Sequence, residues 1–275
     1  MLSSHNCVIC NENSFKKWCE YQKIKMLICN NCELVFEYPY PSPEFLNKFY
    51  STNYHSKRDY KSLDKVGKLR KEMYDLDYQS IDKNISISGN FLDYGCAEGT
   101  FLNYLSDRWS KFGVDISNES IESAKKIYKN IKFEQLLNNN IFFSGTNFDV
   151  IHLRAVLEHV QDPFKVLRKL STRINEKGYL IISNTPNSSS IGAKLYRHNY
   201  RLTLPYEHIN IYSMKSMKIL MNRLNFKIIN IEFPYWGTPY ENIVRDLPQF
   251  IFNKFLNKKS PPFFKNIFTL YAQKI

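Results

Sequence analysis

The sequence predicts an α/β chain: a doubly wound, seven-stranded, mostly parallel sheet with a small cysteine module and a helical cap before it. Three observations carry this. From Asn90 onward, short apolar runs alternate with amphipathic stretches, the pattern of parallel strands covered by helices on both faces. Two C-x2-C pairs stand within the first 32 residues. Between them and the strands lies a segment whose apolar residues recur at helical spacing. The 275 residues are 43% hydrophobic and 15% aromatic, enough to bury a large core beside a small module, which excludes a disordered chain.

The first element, residues 1–40, is read as a zinc-ribbon-like module. Cys7 and Cys10 form one pair and Cys29 and Cys32 the other, with 18 residues between the inner cysteines. Each pair on a tight turn directs two thiolates at one ion, and two such turns complete a tetrahedral site with zinc–sulfur distances of ~2.3 Å. Four thiolates close the coordination shell, so the expected Zn2+ is structural rather than catalytic. It supplies folding energy that so short a piece lacks. Cys19 and Cys96 fall outside the spacing and read as ordinary thiols. A proline cluster, Tyr38 to Pro43, then forms an extended linker.

Residues 44–85 are expected to be a cap of two or three helices, from apolar positions such as Phe45, Leu46, Phe49, Leu69, Met73 and Leu76. Tyr50 and Tyr54 are read either as part of a lid or as packing. The remaining element is residues 86–275. Strands are predicted at Phe91–Tyr94, Phe112–Asp115, Ile131–Phe133, Phe148–Leu153 and Tyr179–Ser183, with helices near 99–108, 118–129 and 162–174. A helix near 214–224 and strands near 226–233 and 267–274 follow.

Asp93-Tyr94-Gly95-Cys96-Ala97-Glu98-Gly99 leaves the first of these strands. Gly95 and Gly99 permit a tight turn and close approach of backbone to a ligand. The helix expected to open near Gly99 offers free N–H groups to a carboxylate or phosphate. Asp115 ends the next strand, 22 residues after Asp93, where a carboxylate accepts both hydroxyls of a ribose.

Asp93 to Leu102, Gly113-Val114-Asp115, Leu157 to Pro163 and Ile182 to Asn187 together resemble the class I S-adenosylmethionine-dependent methyltransferases, over about residues 44–235. The resemblance implies a Rossmann-like sheet with S-adenosyl-L-methionine as cofactor. By position it implies that Asp93 orients the methionine amino end, that Gly95 and Gly99 line its path, that Asp115 holds the ribose, and that Ile116 packs on the adenine. Ala97 departs from the pattern, standing where a second glycine is common; a slight change in the loop is expected.

A cysteine ribbon followed by this domain is similar to bacterial methyltransferases acting on sugars, and Tyr206-Glu207-His208-Ile209-Asn210-Ile211-Tyr212-Ser213 resembles their second signature. The resemblance implies transfer to a sugar hydroxyl, nucleotide-linked or destined for surface polysaccharide. A sugar hydroxyl is a poor nucleophile at neutral pH, so an imidazole base is expected: His208 first, with Glu207 and Tyr206 shaping the site. His159, just after the fourth strand, ranks second, with positioning favoured over catalysis. His152 lies within a strand and reads as core. Transfer to a sugar carbon or nitrogen stays open, as does an RNA acceptor. A binding module that kept the fold but lost activity is opposed by the intact Asp93, Gly95, Gly99 and Asp115.

The net charge of +12 is not spread evenly: +9 belongs to residues 191–275 and none to residues 1–40. A neutral ribbon argues against nucleic acid as the partner. Lys194, Arg197 and Arg201 are instead read as holding the diphosphate of an anionic nucleotide sugar. Phe250, Phe252, Lys254, Phe255, Lys258, Lys259 and Phe263 mix aromatics with cations. They are read as a dimer surface or a helix packed on the sheet ahead of a peripheral membrane contact. No uncharged apolar run approaches the ~20 residues of a membrane span, and no secretory signal is visible, so a cytoplasmic location is expected.

Overall fold

In a computed structural model of the chain, residues 6–21, 24–49, 65–137 and 142–275 are described; Tyr50 and Tyr54 lie outside them. The central sheet has seven strands: β4 (Gly89–Tyr94), β5 (Trp109–Asp115), β6 (Lys132–Gln135), β7 (Phe148–Arg154), β8 (Ile174–Pro186), β10 (Phe226–Glu232) and β11 (Ile267–Lys274). Their order is β10-β11-β8-β7-β4-β5-β6. The first five are mutually parallel, and β11 runs antiparallel to both β8 and β10.

Neighbouring residues of the central strands enter opposite cores, as a pleat requires. Phe91, Val150 and Ile181 face α2 (Lys65–Asn84) and α3 (Asn118–Ile127), in a cluster with Ile81, Ile85, Leu102 and Ile121. Leu92, Ile151 and Ile182 face α4 (Pro163–Ser171) and α6 (Met214–Arg223), with Leu167 and Leu220. The helix starts are written locally. The side chains of Ser117 and Asp162 accept the Ser120 and Lys165 N–H groups, and Pro163 fills the first turn of α4. Ser213 and Ser216 form a reciprocal cap on α6.

One predicted helix is corrected. Residues 99–108 form only a 3-10 turn, Phe101–Tyr104, followed by extended backbone at Leu105. The six residues of β4 span ~20 Å, a length that needs ~13 residues of α-helix. Nine residues separate Gly99 from Trp109, too few for a helix to run back down the sheet. The space is filled by α2, whose Tyr74 packs on Phe101 and Tyr104 with ring centroids 5.8 and 5.6 Å apart. The cap thus comprises α1 (Pro43–Phe49) and α2 among the described residues.

The cysteine module is a small antiparallel sheet. β1 (Phe15–Tyr21), β2 (Ile24–Cys29) and β3 (Val35–Tyr38) form an antiparallel meander. Its fourth strand, β9 (Asn210–Ile211), comes from the far end of the sequence, pairing Val35 with Ile211 and Phe36 with Asn210. The Tyr206–Ser213 signature is therefore built into the sheet of the cysteine module.

Candidate active site

At the carboxyl end of β4 the chain turns sharply. The Gly95 and Cys96 N–H groups donate to the Val114 carbonyl at 2.8 and 3.0 Å. Gly95 and Gly99 have φ of 85° and 73°. A Cβ at Gly95 falls 2.5 Å from Cγ2 of Val156, and one at Gly99 falls 2.5 Å from Cζ of Phe133. Both positions need glycine for conformation and for space. Ala97 shares the left-handed conformation, at φ 49°, so the loop keeps its path at the cost of strain in an L-residue.

Asp115 braces this loop. Its Oδ2 accepts the Ala97 N–H at 2.8 Å and its Oδ1 accepts the Ser117 N–H at 2.9 Å. A carboxylate has about four acceptor sites, enough to serve backbone donors and a ligand's hydroxyls together. Ile116 beside it is 49% exposed and presents an open apolar face. Asp93 turns inward instead. Its Oδ1 lies 3.1 Å from Nδ1 of buried His152, whose Nε2 is 2.7 Å from the Ser183 hydroxyl. The register pairing Asp93 with His152 sets this polar string across β4, β7 and β8. At the same sheet edge, Asp77 of α2 accepts from Arg154 Nε at 2.7 Å and from Asn184 Nδ2 at 3.0 Å, clasping the cap to the ends of β7 and β8.

Beyond β7, the turn Leu157–His159 brings three ionisable groups together with the later signature. Glu158, His159 and His208 each offer one ligand atom, all within 4.8 Å of one another. Nδ1 of His159 lies 2.6 Å from the Glu207 carbonyl, and Nδ1 of His208 lies 2.8 Å from the Leu202 carbonyl. A carbonyl only accepts, so both Nδ1 atoms carry hydrogen, and each neutral ring keeps its lone pair on Nε2. The rings sit 5.1 Å apart. Such a pair beside a buried carboxylate can take a proton and stabilise the resulting imidazolium, or ligate a cation.

The contacts holding the two histidines together come largely from the signature. Asn210 Nδ2 donates to the Val160 carbonyl at 2.7 Å and the Tyr212 hydroxyl to the Leu157 carbonyl at 2.8 Å. The Tyr40 hydroxyl donates to Asn210 Oδ1 at 2.8 Å, and the Ser213 hydroxyl to the Cys32 carbonyl at 2.8 Å. Tyr206, at φ 68°, donates its N–H to Oε2 of Glu37 at 2.9 Å. Its ring meets that of Phe45 in α1 at 5.0 Å. Burial pushes the Glu37 carboxyl above its usual range, and the Tyr206 N–H works against that shift.

Cys7, Cys10, Cys29 and Cys32 converge, with all four sulfurs within 4.8 Å of one another and the Cys7–Cys32 and Cys10–Cys29 pairs at 3.5 Å. Tetrahedral thiolate coordination sets sulfurs about 3.8 Å apart, so the donor set fits one ion. Arg197 and Arg201 each have neighbours within the fold. Arg197 donates to the Trp18 carbonyl of β1 at 3.3 Å. Arg201 is drawn into the fold beside Tyr200 and Asp246, where burial pulls its guanidinium below the usual value.

Sequence reasoning missed Glu158 and Glu37. Glu158 carried a signal, an acid between Leu157 and His159 in an otherwise apolar run. Glu37 carried none, since its partner lies 169 residues away. The carboxylate that joins the histidine cluster is that of Glu158, whereas Glu207 brings its backbone carbonyl to His159.

A family model described as a methyltransferase domain matches residues 57–231. An uncharacterized protein of Methanocaldococcus jannaschii is 26% identical over 157 residues, covering 57% of this chain and 73% of that protein. The mitochondrial ubiquinone biosynthesis O-methyltransferase of Saccharomyces cerevisiae is 30% identical over 126 residues, 42% of this chain and 39% of the enzyme. Its counterpart from Actinobacillus pleuropneumoniae is 26% identical over 118 residues, 39% of this chain and 50% of the enzyme. The chain thus spans half or less of these two enzymes' length. Among solved structures, magnesium protoporphyrin IX methyltransferase from Synechocystis PCC 6803, with S-adenosylhomocysteine bound, superposes with a TM-score of 0.58 at 13% identity, covering 85% of this chain and all of that one. The YcgJ protein from Bacillus subtilis gives 0.54 at 17% identity, over 74% and 98%. The family match runs from the cap to β10 and takes in the glycine loop, Asp115 and the Leu157–His159 turn, so the chain belongs to the S-adenosylmethionine-dependent methyltransferases.

Proposed function

We propose that this enzyme methylates a hydroxyl oxygen, most closely that of a nucleotide-linked or surface-polysaccharide sugar, with His208 as general base and a structural zinc in the four-cysteine site. The observation that carries the reading is the pair of Nδ1-anchored imidazoles beside Glu158, just beyond the sheet's carboxyl edge, where open α/β sheets bind ligands. When bound, S-adenosylmethionine supplies an electrophilic methyl group on its sulfonium. Asp115 would take the ribose hydroxyls, Gly95 and Gly99 would admit the methionine end, and Ile116 would pack on the adenine. Asp93, turned onto His152, serves that end by fixing the close of β4. Nε2 of His208 accepts the proton as the acceptor oxygen attacks, and the Glu158 carboxylate stabilises the imidazolium. His159 positions its neighbour and the Glu207 backbone. Tyr206 and Glu207 border the acceptor, with Arg197 and Arg201 offering paired donors to the diphosphate of a nucleotide sugar.

Zinc at Cys7, Cys10, Cys29 and Cys32 would hold the β3–β9 seam, and through it the turn that carries His208. A phenolic hydroxyl is the second reading, favoured by the ubiquinone O-methyltransferases among the relatives. The deciding measurement is S-adenosylhomocysteine release with nucleotide sugars, a catechol carboxylate and total RNA. Turnover on a nucleotide sugar is expected. Turnover confined to the catechol would move the acceptor to the phenol class, and turnover confined to RNA would refute both.

A further inference from the structure

The last α-helix, α7 (Ile243–Phe255), exposes more of its large apolar side chains than it buries. A surface helix ordinarily turns its apolar stripe to the core and its polar face to water. Here Asp246 and Phe250 face inward, Asp246 bonded to Tyr235 and Arg245, and Phe250 stacked on Phe263 at 4.4 Å. The outward stripe is Val244, Leu247, Ile251 and Phe255, spaced by three and four residues. Val244 and Phe255 are each 83% exposed and Ile251 is 50% exposed. The patch continues onto α5 (Ile191–Tyr196), where Ile191 and Leu195 are exposed and Lys254 Nζ binds the Leu195 carbonyl at 2.6 Å. An exposed apolar stripe of this kind marks an interaction site.

The flanking charge says what covers it. Lys254, Lys258 and Lys259 border the stripe, and the one acid between residues 243 and 260, the buried Asp246, is paired with Arg245. A second copy, docking by the same patch about a two-fold axis, sets these cations against themselves. Nucleic acid answers the charge, but Val244, Leu247 and Ile251 neither stack on bases nor pair with phosphates. An outward apolar stripe edged by lysines is the composition of a helix lying in the headgroup boundary of a bilayer. We propose that the outer face of α7, with the adjoining edge of α5, docks on an anionic lipid leaflet. From Tyr196, packed on Phe250 at 5.1 Å, the chain reaches Tyr206 in ten residues, so the docking face and the acceptor cluster are joined by one short segment.

The test is co-sedimentation of the full chain with vesicles of phosphatidylcholine, alone or mixed with phosphatidylglycerol, at low and high salt. The wild type is expected to pellet with the mixed vesicles, less at high salt and less with phosphatidylcholine alone. Ile251→Glu/Phe255→Glu should remain in the supernatant while binding S-adenosylmethionine normally, which shows that it is folded. Lys258→Gln/Lys259→Gln should partition about 30-fold more weakly, a factor of about 5 for each cation near the surface. The proposal is overturned if the wild type fails to pellet or treats both vesicles alike. It is equally overturned if the Ile251→Glu/Phe255→Glu protein still pellets. A dimer in gel filtration that this variant splits would assign the face to a second copy instead.

Discussion

Gly99→Ala tests the cofactor loop most directly, because two separate physical costs coincide there. The backbone at φ 73° charges an L-residue about 1–2 kcal/mol. The new methyl carbon would lie 2.5 and 2.6 Å from Cζ and Cε1 of Phe133, a buried ring packed in the α3 core. Forcing an extra carbon into such packing costs about 1–3 kcal/mol. Together these give about 2–5 kcal/mol, or a fall in Tm of about 5–15 °C for a chain of this size. Thermal unfolding by circular dichroism reads the stability, and calorimetric titration with S-adenosylmethionine reads the loop's fitness to bind. Phe133→Leu in the Gly99→Ala background removes the contact and should return the packing share, leaving the backbone share unrecovered. Ala97→Gly should move the other way, relieving its left-handed strain against a smaller gain in unfolded-chain entropy, for a net stabilisation of about 0.5–1 kcal/mol. A Gly99→Ala protein that melts with the wild type and binds cofactor equally well would refute the close-packing argument.

Three further outcomes are expected. Chelation should release about one zinc per chain, and Cys32→Ser should abolish its uptake. Both should speed amide exchange across residues 209–213, whereas unchanged exchange there would disconnect the module from the acceptor turn. His208→Ala should lower turnover by about 10²–10⁴ and leave S-adenosylmethionine affinity intact; retained turnover would remove it as the base. Glu37→Gln keeps an acceptor for the Tyr206 N–H while deleting a buried charge. The Glu37 carboxyl is raised in the folded state, so its stabilising share is complete below the unfolded value of about 4.3 and is lost as pH rises through the folded value. The variant should therefore match the wild type near pH 4 and melt higher at pH 7; a difference independent of pH would contradict the assignment.

The central strands were legible because both faces of a parallel sheet are covered, leaving apolar runs such as Tyr179-Leu180-Ile181-Ile182. The glycine loop was legible because chemistry fixes its spacing. The misread helix at 99–108 had apolar residues at the right intervals, but the length of β4 and the prior claim of α2 on that face decide the outcome, and neither is a local property. β9 is two residues long and carries no periodic signal; its identity depends on β3, some 175 residues earlier. His208 and His159 were visible as motifs, yet their tautomers follow from the carbonyls of Leu202 and Glu207, which only the folded chain brings to the rings.

The pairing of β3 with β9 also sets a timetable for biosynthesis. At about 5–20 residues per second, the ribosome needs about 10–35 s to make the chain between Phe36 and Ile211. Throughout that interval the cysteine meander has an open edge at β3, with unpaired backbone groups available to any other strand. Only the late arrival of Asn210 and Ile211 covers that edge. A nascent chain therefore passes through a state whose exposed strand is an aggregation hazard, and conditions that slow synthesis of the middle of the protein should lengthen it.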